Sequence, residues 1–419
     1  MNTKRKTETV WDVIVIGGGP AGMMAAGRAA ERGKSVILLE KNPTLGRKLL
    51  ITGGGRCNLT NNKPDTRTML SHYTGSDQFL FSAFAQFTVQ DTIAFFNDRG
   101  MKTKEEAEGR MFPVSDKAQA VLDVLTRYIK EGGVQVQTSA VVADIAVDVK
   151  TKHIRVRLDD ATEIVGRSCV VATGGVSRPE TGSTGDGFAW LKKLGHTVAD
   201  TNSSLVPVAL KDAWAKKLSG VTLSDIKLTV FQNGKKQGMK KGKVLFTHFG
   251  ISGPTVLNMS KLIGELIPQG DVGIMLDLFP KIEHDALKKK LQALLIGDSN
   301  KKIKNTLDAL VPSALVLPLL ALAWIDGETA NHSVKKEERA KLLLLLKAVP
   351  LHVQGLLGAD KAIVSSGGVA LTEVNFKTME SRVVKNIYIV GDALNIDRPS
   401  GGYSLQICWT TGFVAGSHC

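Results

Sequence analysis

The sequence predicts an α/β protein: a Rossmann-like domain made from two chain segments, with a β-rich and then helical region inserted between them. Three observations carry this. A buried apolar run, Val13–Ile16, enters the turn Gly17-Gly18-Gly19-Pro20-Ala21-Gly22, and a second apolar run ends in Glu40. Far along the chain another such run, Ile387–Val390, ends in Gly391-Asp392 and leads to a helix. Between them, from about Thr197, the pattern changes to short strands and turns and then to leucine-rich helices. The expected division is 1–195 for the first segment, 196–357 for the insertion and 358–419 for the second segment.

The first unit has residues suited to each position. Val13–Ile16 is the β-branched run of a strand covered on both faces. Gly17 makes the tight turn, Gly19 lets backbone approach a pyrophosphate, and Gly22 lets helix and strand pack closely. The helix that follows is rich in small residues (Ala25, Ala26, Ala29, Ala30), and its N-terminus faces the phosphates. Glu40, 18 residues after Gly22, is placed to accept from a ribose diol. This is a dinucleotide fingerprint in its required context.

After Glu40 come two polar, glycine-rich stretches, Asn42–Lys48 and Thr52–Asn58. Residues 75–130 read as mostly helical, with apolar periodicity over Phe79–Phe96 and Ala118–Ile129. Strands are expected at Val134–Gln137, His153–Leu158 and Ser168–Ala172, and a helix at Gly187–Leu194. In the insertion, Lys227–Phe231 followed by Asn233-Gly234 signals a hairpin. Residues 282–357 read as helical, and a last helix runs from about Gly402 to Gly416.

With 419 residues the chain can bury two or three cores. No apolar run reaches the length of a membrane span; Ala314–Ile325 has twelve residues and contains Pro318. The N-terminus is polar and basic without an apolar h-region, so a cytoplasmic location is expected. Cys57, Cys169, Cys408 and Cys419 lie far apart, and neither they nor the histidines show metal-ligand spacing. The net charge is +14, and residues 201–350 carry 22 Lys and Arg against 13 Asp and Glu. A solvated lysine-rich surface, a nucleic-acid footprint, a membrane surface and an anionic small substrate all fit that excess.

Three further segments favour FAD over a nicotinamide as the tightly held cofactor. Val170–Gly175 is an apolar strand ending in Thr173-Gly174-Gly175, a second contact loop in two-dinucleotide folds. Asp392 ends a late strand where ligands of open α/β sheets bind, in reach of ribityl hydroxyls. The Gly401-Gly402 turn opens a helix whose dipole suits the electron-rich edge of a reduced flavin. No second Gly-x-Gly-x-x-Gly follows a strand. Either NAD(P)H docks transiently as electron donor or the reductant is something else.

Gly46-Arg47-Lys48, Thr52–Asn58, Leu245–Pro254 and Gly391-Asp392 with Gly401-Gly402-Tyr403 together resemble the BaiN/RdsA family of NAD(P)/FAD-dependent oxidoreductases. The resemblance covers nearly the whole chain. It implies a glutathione-reductase-like FAD domain and reduction of a carbon–carbon double bond, in a steroid-like enone or a ribosomal RNA uridine. A looser similarity to fumarate-reductase-like flavoproteins lies in Ala172–Gly175 and Gly182–Gly187, without a catalytic constellation to carry over.

The FAD candidates are therefore Gly17, Gly19, Gly22, Glu40, Arg47, Lys48, Gly54, Arg56, Cys57, Gly174, Asp392 and Gly402. Alkene reduction also needs a proton donor, and His248, Tyr403 and Cys57 are the candidates. A lone cysteine equally suits a small buried position. The expected activity is NAD(P)H-dependent reduction, of ribosomal RNA bound through the basic insertion or of a small-molecule enone or unsaturated acid. A flavin-binding protein acting by association is the alternative class; a folate-dependent RNA-modifying enzyme lacks any recognisable folate site.

Overall fold

The structure is a computed structural model that describes residues 9–73, 75–199, 203–358, 364–365 and 367–419. The basic N-terminal residues 1–8 lie outside that range. The chain forms two compact units, Met1–Ser203 with Ala362–Cys419, and Ser204–Lys361.

The first unit is built on a seven-stranded sheet. Strand β1 (Val10–Ile16) is followed by helix α1 (Pro20–Glu31) and strand β2 (Val36–Leu39), which pairs parallel to β1 in the register Val13 to Val36 through Ile16 to Leu39. Gln135–Gln137 extends the parallel array beyond β2. On the other side of β1 lies strand β3 (Glu163–Val171). This nine-residue strand is shared: Glu163–Gly166 pairs antiparallel with Ile154–Leu158, and Cys169–Val171 pairs parallel with the returning strand Ile387–Ile389. One long strand thus takes both a local meander and the second chain segment. Val13, Ile14 and Val15 are wholly buried, as a parallel centre covered on both faces demands.

The final helix, Tyr403–His418, packs its small residues on α1. A Cβ at Gly412 would stand 2.5 Å from the Ala21 carbonyl oxygen, and one at Gly416 would stand 2.4 Å from that of Ala25. The Gly-x-x-x-Gly spacing therefore lets two helix backbones touch. Residues 75–130 are less helical than expected. Thr103–Glu106 and Arg110–Pro113 form a hairpin that takes Thr60–Asn61 as a third strand. Charged residues at Glu105, Glu106 and Arg110 hide its alternation from a periodicity reading. Among the described residues, Asp77–Asp98 has the length and apolarity of a membrane span. It is two helices, Asp77–Gln86 and Val89–Asp98, separated at Phe87, with a Thr88–Asp91 capping box starting the second.

The second unit contains a closed six-stranded barrel. Its order is Val208–Leu210, Gly250–Ser252, β5 (Lys235–Thr247), β4 (Thr222–Gln232), Val272–Asp277 and Val349–Leu356. Asn233-Gly234 makes the expected turn between β4 and β5, with Gly234 at φ +74°. Leu228, Val230, Val244, Ile274 and Leu276 are wholly buried in its core. Helices His284–Gly297, Ser313–Ala323 and Lys336–Lys347 precede the last strand. That strand corrects the expectation of helix to residue 357. Val349, Leu351 and Val353 are buried while His352 and Gln354 are exposed, a period of two that begins where the leucine run stops.

Candidate functional site

The glycine turn is built as the fingerprint requires. Gly17 sits at φ +109°, and a Cβ there would stand 2.5 Å from the Ala172 carbonyl oxygen. A Cβ at Gly22 would stand 1.9 Å from the Gly17 carbonyl oxygen. Gly19 differs: it caps α1 at φ −83°, and a Cβ there would meet nothing within 4 Å. Two glycines are needed for close packing, and the third faces open space at a helix N-terminus.

That space belongs to a cavity of about 670 Å³ whose walls come from the first unit. Gly17, Gly19 and Glu40 line it, as do Arg47, Lys48 and Gly54, and so do Gly174 and Asp392. Sequence-distant candidates from both chain segments therefore share one wall. The Glu40 carboxylate is already oriented: Oε2 accepts from the Gly18 N–H (2.7 Å), and Oε1 accepts from the Asn42 N–H (2.8 Å) and Nδ2 (2.6 Å). Oε2 accepts one of these bonds and keeps capacity for a second, so the tethering positions the group for a diol without consuming it. Arg47 is exposed and donates to Asn42 Oδ1 at 2.8 Å.

Deeper in the cavity the charges are buried together. Lys48 Nζ donates to Ser177 Oγ at 3.2 Å, and burial pushes its pKa down against the pull of Asp392. Asp392 pairs with the fully buried guanidinium of Arg398. Arg398 also donates to the Ile396 carbonyl and, at 3.2 Å, to Ser404 Oγ. Lys48 and Arg398 thus flank the Asp392 carboxylate, and Glu180 also acts on Lys48.

The Thr52–Cys57 loop explains its three glycines. Gly53, Gly54 and Gly55 all lie at positive φ (57°, 68° and 86°), and Cys57 follows at φ 61°. Its backbone lines the cavity at Gly53 and Gly54, whereas two of its side chains are engaged elsewhere. Arg56 lies over the Phe112 ring, 4.2 Å from its centroid, and donates to Asp116 (2.9 Å) and to Glu106. Cys57 is wholly buried, and burial pushes its thiol up to about 12. Gly22, Arg56, Cys57, Gly402 and Tyr403 are outside the cavity wall.

Gly402 is a contact between segments, because a Cβ there would stand 2.4 Å from the Thr60 carbonyl carbon. Tyr403 begins the final helix, buried beside the rings of His72 (4.7 Å between centroids) and Tyr73 (5.9 Å). Burial, with the charge of Glu108 behind it, pushes its phenol up to about 12. His248 belongs to the second unit, exposed in the turn between β5 and Gly250–Ser252 and edge-on to Phe249.

Sequence reasoning missed the opposite wall. Lys41 Nζ donates to Asp186 at 2.7 Å, Asn42 Nδ2 donates to the Thr181 carbonyl at 3.0 Å, and all four residues line the cavity. The available signal was the run Gly182–Gly187, whose Gly182 and Gly185 lie at φ 105° and 86°. Arg398 was missed because burial, not spacing, gives it meaning.

Fold and cavity together define a Rossmann-type dinucleotide-binding domain with a large barrel-containing insertion. The chain belongs to the family described as the HI0933-like protein Rossmann domain, matched over residues 11–418. The expectation of a BaiN/RdsA-like flavoprotein oxidoreductase stands with it. The chain is 30% identical to a 3-dehydro-bile acid delta(4,6)-reductase of Clostridium scindens over 406 residues, covering 96% of this chain and 97% of the relative. It is also 30% identical to a ribosomal RNA dihydrouridine synthase of Escherichia coli, covering 96% of each. Among solved structures, a 3-ketosteroid delta1-dehydrogenase from Sterolibacterium denitrificans shares the fold at a TM-score of 0.56, with 13% identity and coverage of 98% of this chain and 99% of that one.

Proposed function

We propose that this chain is an FAD-dependent reductase that draws electrons from NAD(P)H and saturates a carbon–carbon double bond conjugated to a carbonyl. The observation that carries the reading is the shared wall, where Gly19, Glu40, Lys48, Gly54 and Asp392 face one cavity. The residues fit the cofactor. The unfilled space beside Gly19 at the start of α1 suits a pyrophosphate, and Glu40 suits a ribose. Lys48 and the Arg398–Asp392 pair suit a ring system that gains negative charge. FAD, when bound, supplies hydride transfer.

The chain's own residues then hold the ligand and deliver a proton. In a conjugated alkene the hydride goes to the β carbon and the proton to the α carbon, as for a dienone and for the 5,6 bond of uridine. Tyr403 is the preferred donor. Its phenol is protonated across the neutral range, and it precedes Ser404 and Leu405 of the cavity wall in the final helix without itself lining the cavity. Cys57, wholly buried outside the cavity wall, and His248, exposed on the second unit, are not carried forward as donors. The reading places the protein in the cytoplasm with the NAD(P)H pool.

The test is direct. Purified protein should carry FAD absorbance and bleach anaerobically with NADH or NADPH. A colourless protein that does not take up FAD would refute the reading.

A further inference from the structure

We infer that the exposed half of β5, from Lys235 to Lys243, is a docking surface for an RNA backbone. Strand β5 pairs with β4 along its length but with Gly250–Ser252 only over Leu245–Thr247. Residues 235–243 therefore lie on a ribbon with one edge unpaired among the described residues. Lys235, Lys236, Lys240, Lys241 and Lys243 are all exposed there.

None of these five lysines forms an ion pair among the described residues. Other lysines of the same unit do, including Lys211 with Asp271, Lys281 with Asp225, and Lys302 and Lys304 with Glu328. Residues 226–264 hold seven lysines and no Asp or Glu, and of the seven Lys227 pairs with Asp277 on the neighbouring strand. The ribbon is also held in place. A Cβ at Gly238 would stand 2.7 Å from Leu262, and one at Gly242 would stand 2.6 Å from Thr255 Oγ1, so the strand lies close against the helical segment behind it.

Charged side chains, lysine above all, also protect an exposed strand edge from pairing. The five unpaired lysines span about 27 Å of strand on both faces of the ribbon, with Lys240 on the side of Gly238 and Gly242 and Lys241 and Lys243 opposite, so their charge follows the unpaired edge as a phosphate backbone would. The stretch has no exposed aromatic side chain for base stacking, so the contact is to backbone. It also lacks the apolar face of a membrane-surface element, since Met239 is its one exposed large hydrophobic residue. This inference rests on the reductase reading, and it assigns the surface that would hold an RNA substrate.

The experiment is anisotropy of a labelled single-stranded ribosomal RNA fragment over a potassium chloride series, using FAD-loaded protein. The quintuple variant K235Q/K236Q/K240Q/K241Q/K243Q should lose at least tenfold in affinity near 0.1 M salt. Its slope of log K against log salt should be shallower by about 3.5, near 0.7 for each of five lost phosphate contacts. Melting temperature and flavin content should not change, because these side chains are exposed. A K288Q/K289Q/K290Q variant should bind as wild type. The inference is overturned by a quintuple variant with the wild-type slope, by loss confined to the Lys288–Lys290 variant, or by wild type that binds anionic vesicles and not RNA. None of those outcomes touches the bleaching of flavin by NAD(P)H, so the two readings fail separately.

Discussion

Replacing Gly19 and Gly22 by alanine, one at a time, should separate the two jobs of the glycine turn. At Gly22 the new methyl would stand 1.9 Å from the Gly17 carbonyl oxygen and 3.2 Å from the Ala172 side chain. Backbone blocks it, so α1 must lift from the sheet. Overpacking of this kind costs about 3 kcal/mol, which lowers Tm by roughly 6–12 °C for a domain of this size. At Gly19 the methyl meets nothing within 4 Å and φ is −83°, open to any residue. A lost N-cap glycine and a stiffer unfolded chain nearly cancel, leaving about 0.5 kcal/mol either way. That methyl enters the space proposed for the pyrophosphate, so FAD affinity should fall roughly 10–100-fold, about 1.4–2.7 kcal/mol. Thermal melting of apoprotein and FAD titration read the two effects. A G22A protein that melts like wild type, or a G19A protein with wild-type FAD affinity, would refute the reasoning.

Three other outcomes are expected. Arg398→Met leaves the nearly buried Asp392 carboxylate without its partner and should cost about 3–5 kcal/mol by urea unfolding, with part recovered in R398M/D392N. Burial raises the thiol pKa of Cys57, Cys169 and Cys408 above the unfolded value of 9.0. Below pH 9 both states hold these protons and nothing changes; above it the unfolded chain ionises first, so stability should fall by about 1.4 kcal/mol per pH unit per thiol. Urea midpoints from pH 8 to 10.5 check this, and in native protein a disulfide reagent at pH 8 should not label Cys57, Cys169 or Cys408, leaving partly exposed Cys419 as the reactive thiol. Tyr403→Phe should leave flavin bleaching by NAD(P)H intact while slowing alkene reduction roughly 10²-fold or more, whereas an equal loss in both half-reactions would assign Tyr403 to structure.

Much of the fold was legible because its signals are local. Val13–Gly22 combines a buried β-branched run with a turn only glycine can make, and Asn233-Gly234 marks its hairpin from two residues. Residues 349–356 were less legible, because a leucine-rich helix runs almost into a strand whose alternation spans only Val349 to Val353. The hairpin at 103–113 was hidden by charged residues on its solvent face.

The sequence by itself determined the dinucleotide turn, the return of the chain to the same sheet, and eight residues that line the cavity out of twelve candidates for the cofactor site. Those depend on backbone conformation and short-range packing, which neighbouring residues dictate. Only the tertiary structure decided what each side chain faces. It sent Arg56 to Phe112, Glu106 and Asp116, buried Cys57, and set Arg398 against Asp392. It also left five lysines of β5 exposed and unpaired. Burial and charge pairing arise between residues far apart in the chain, and no local pattern encodes them.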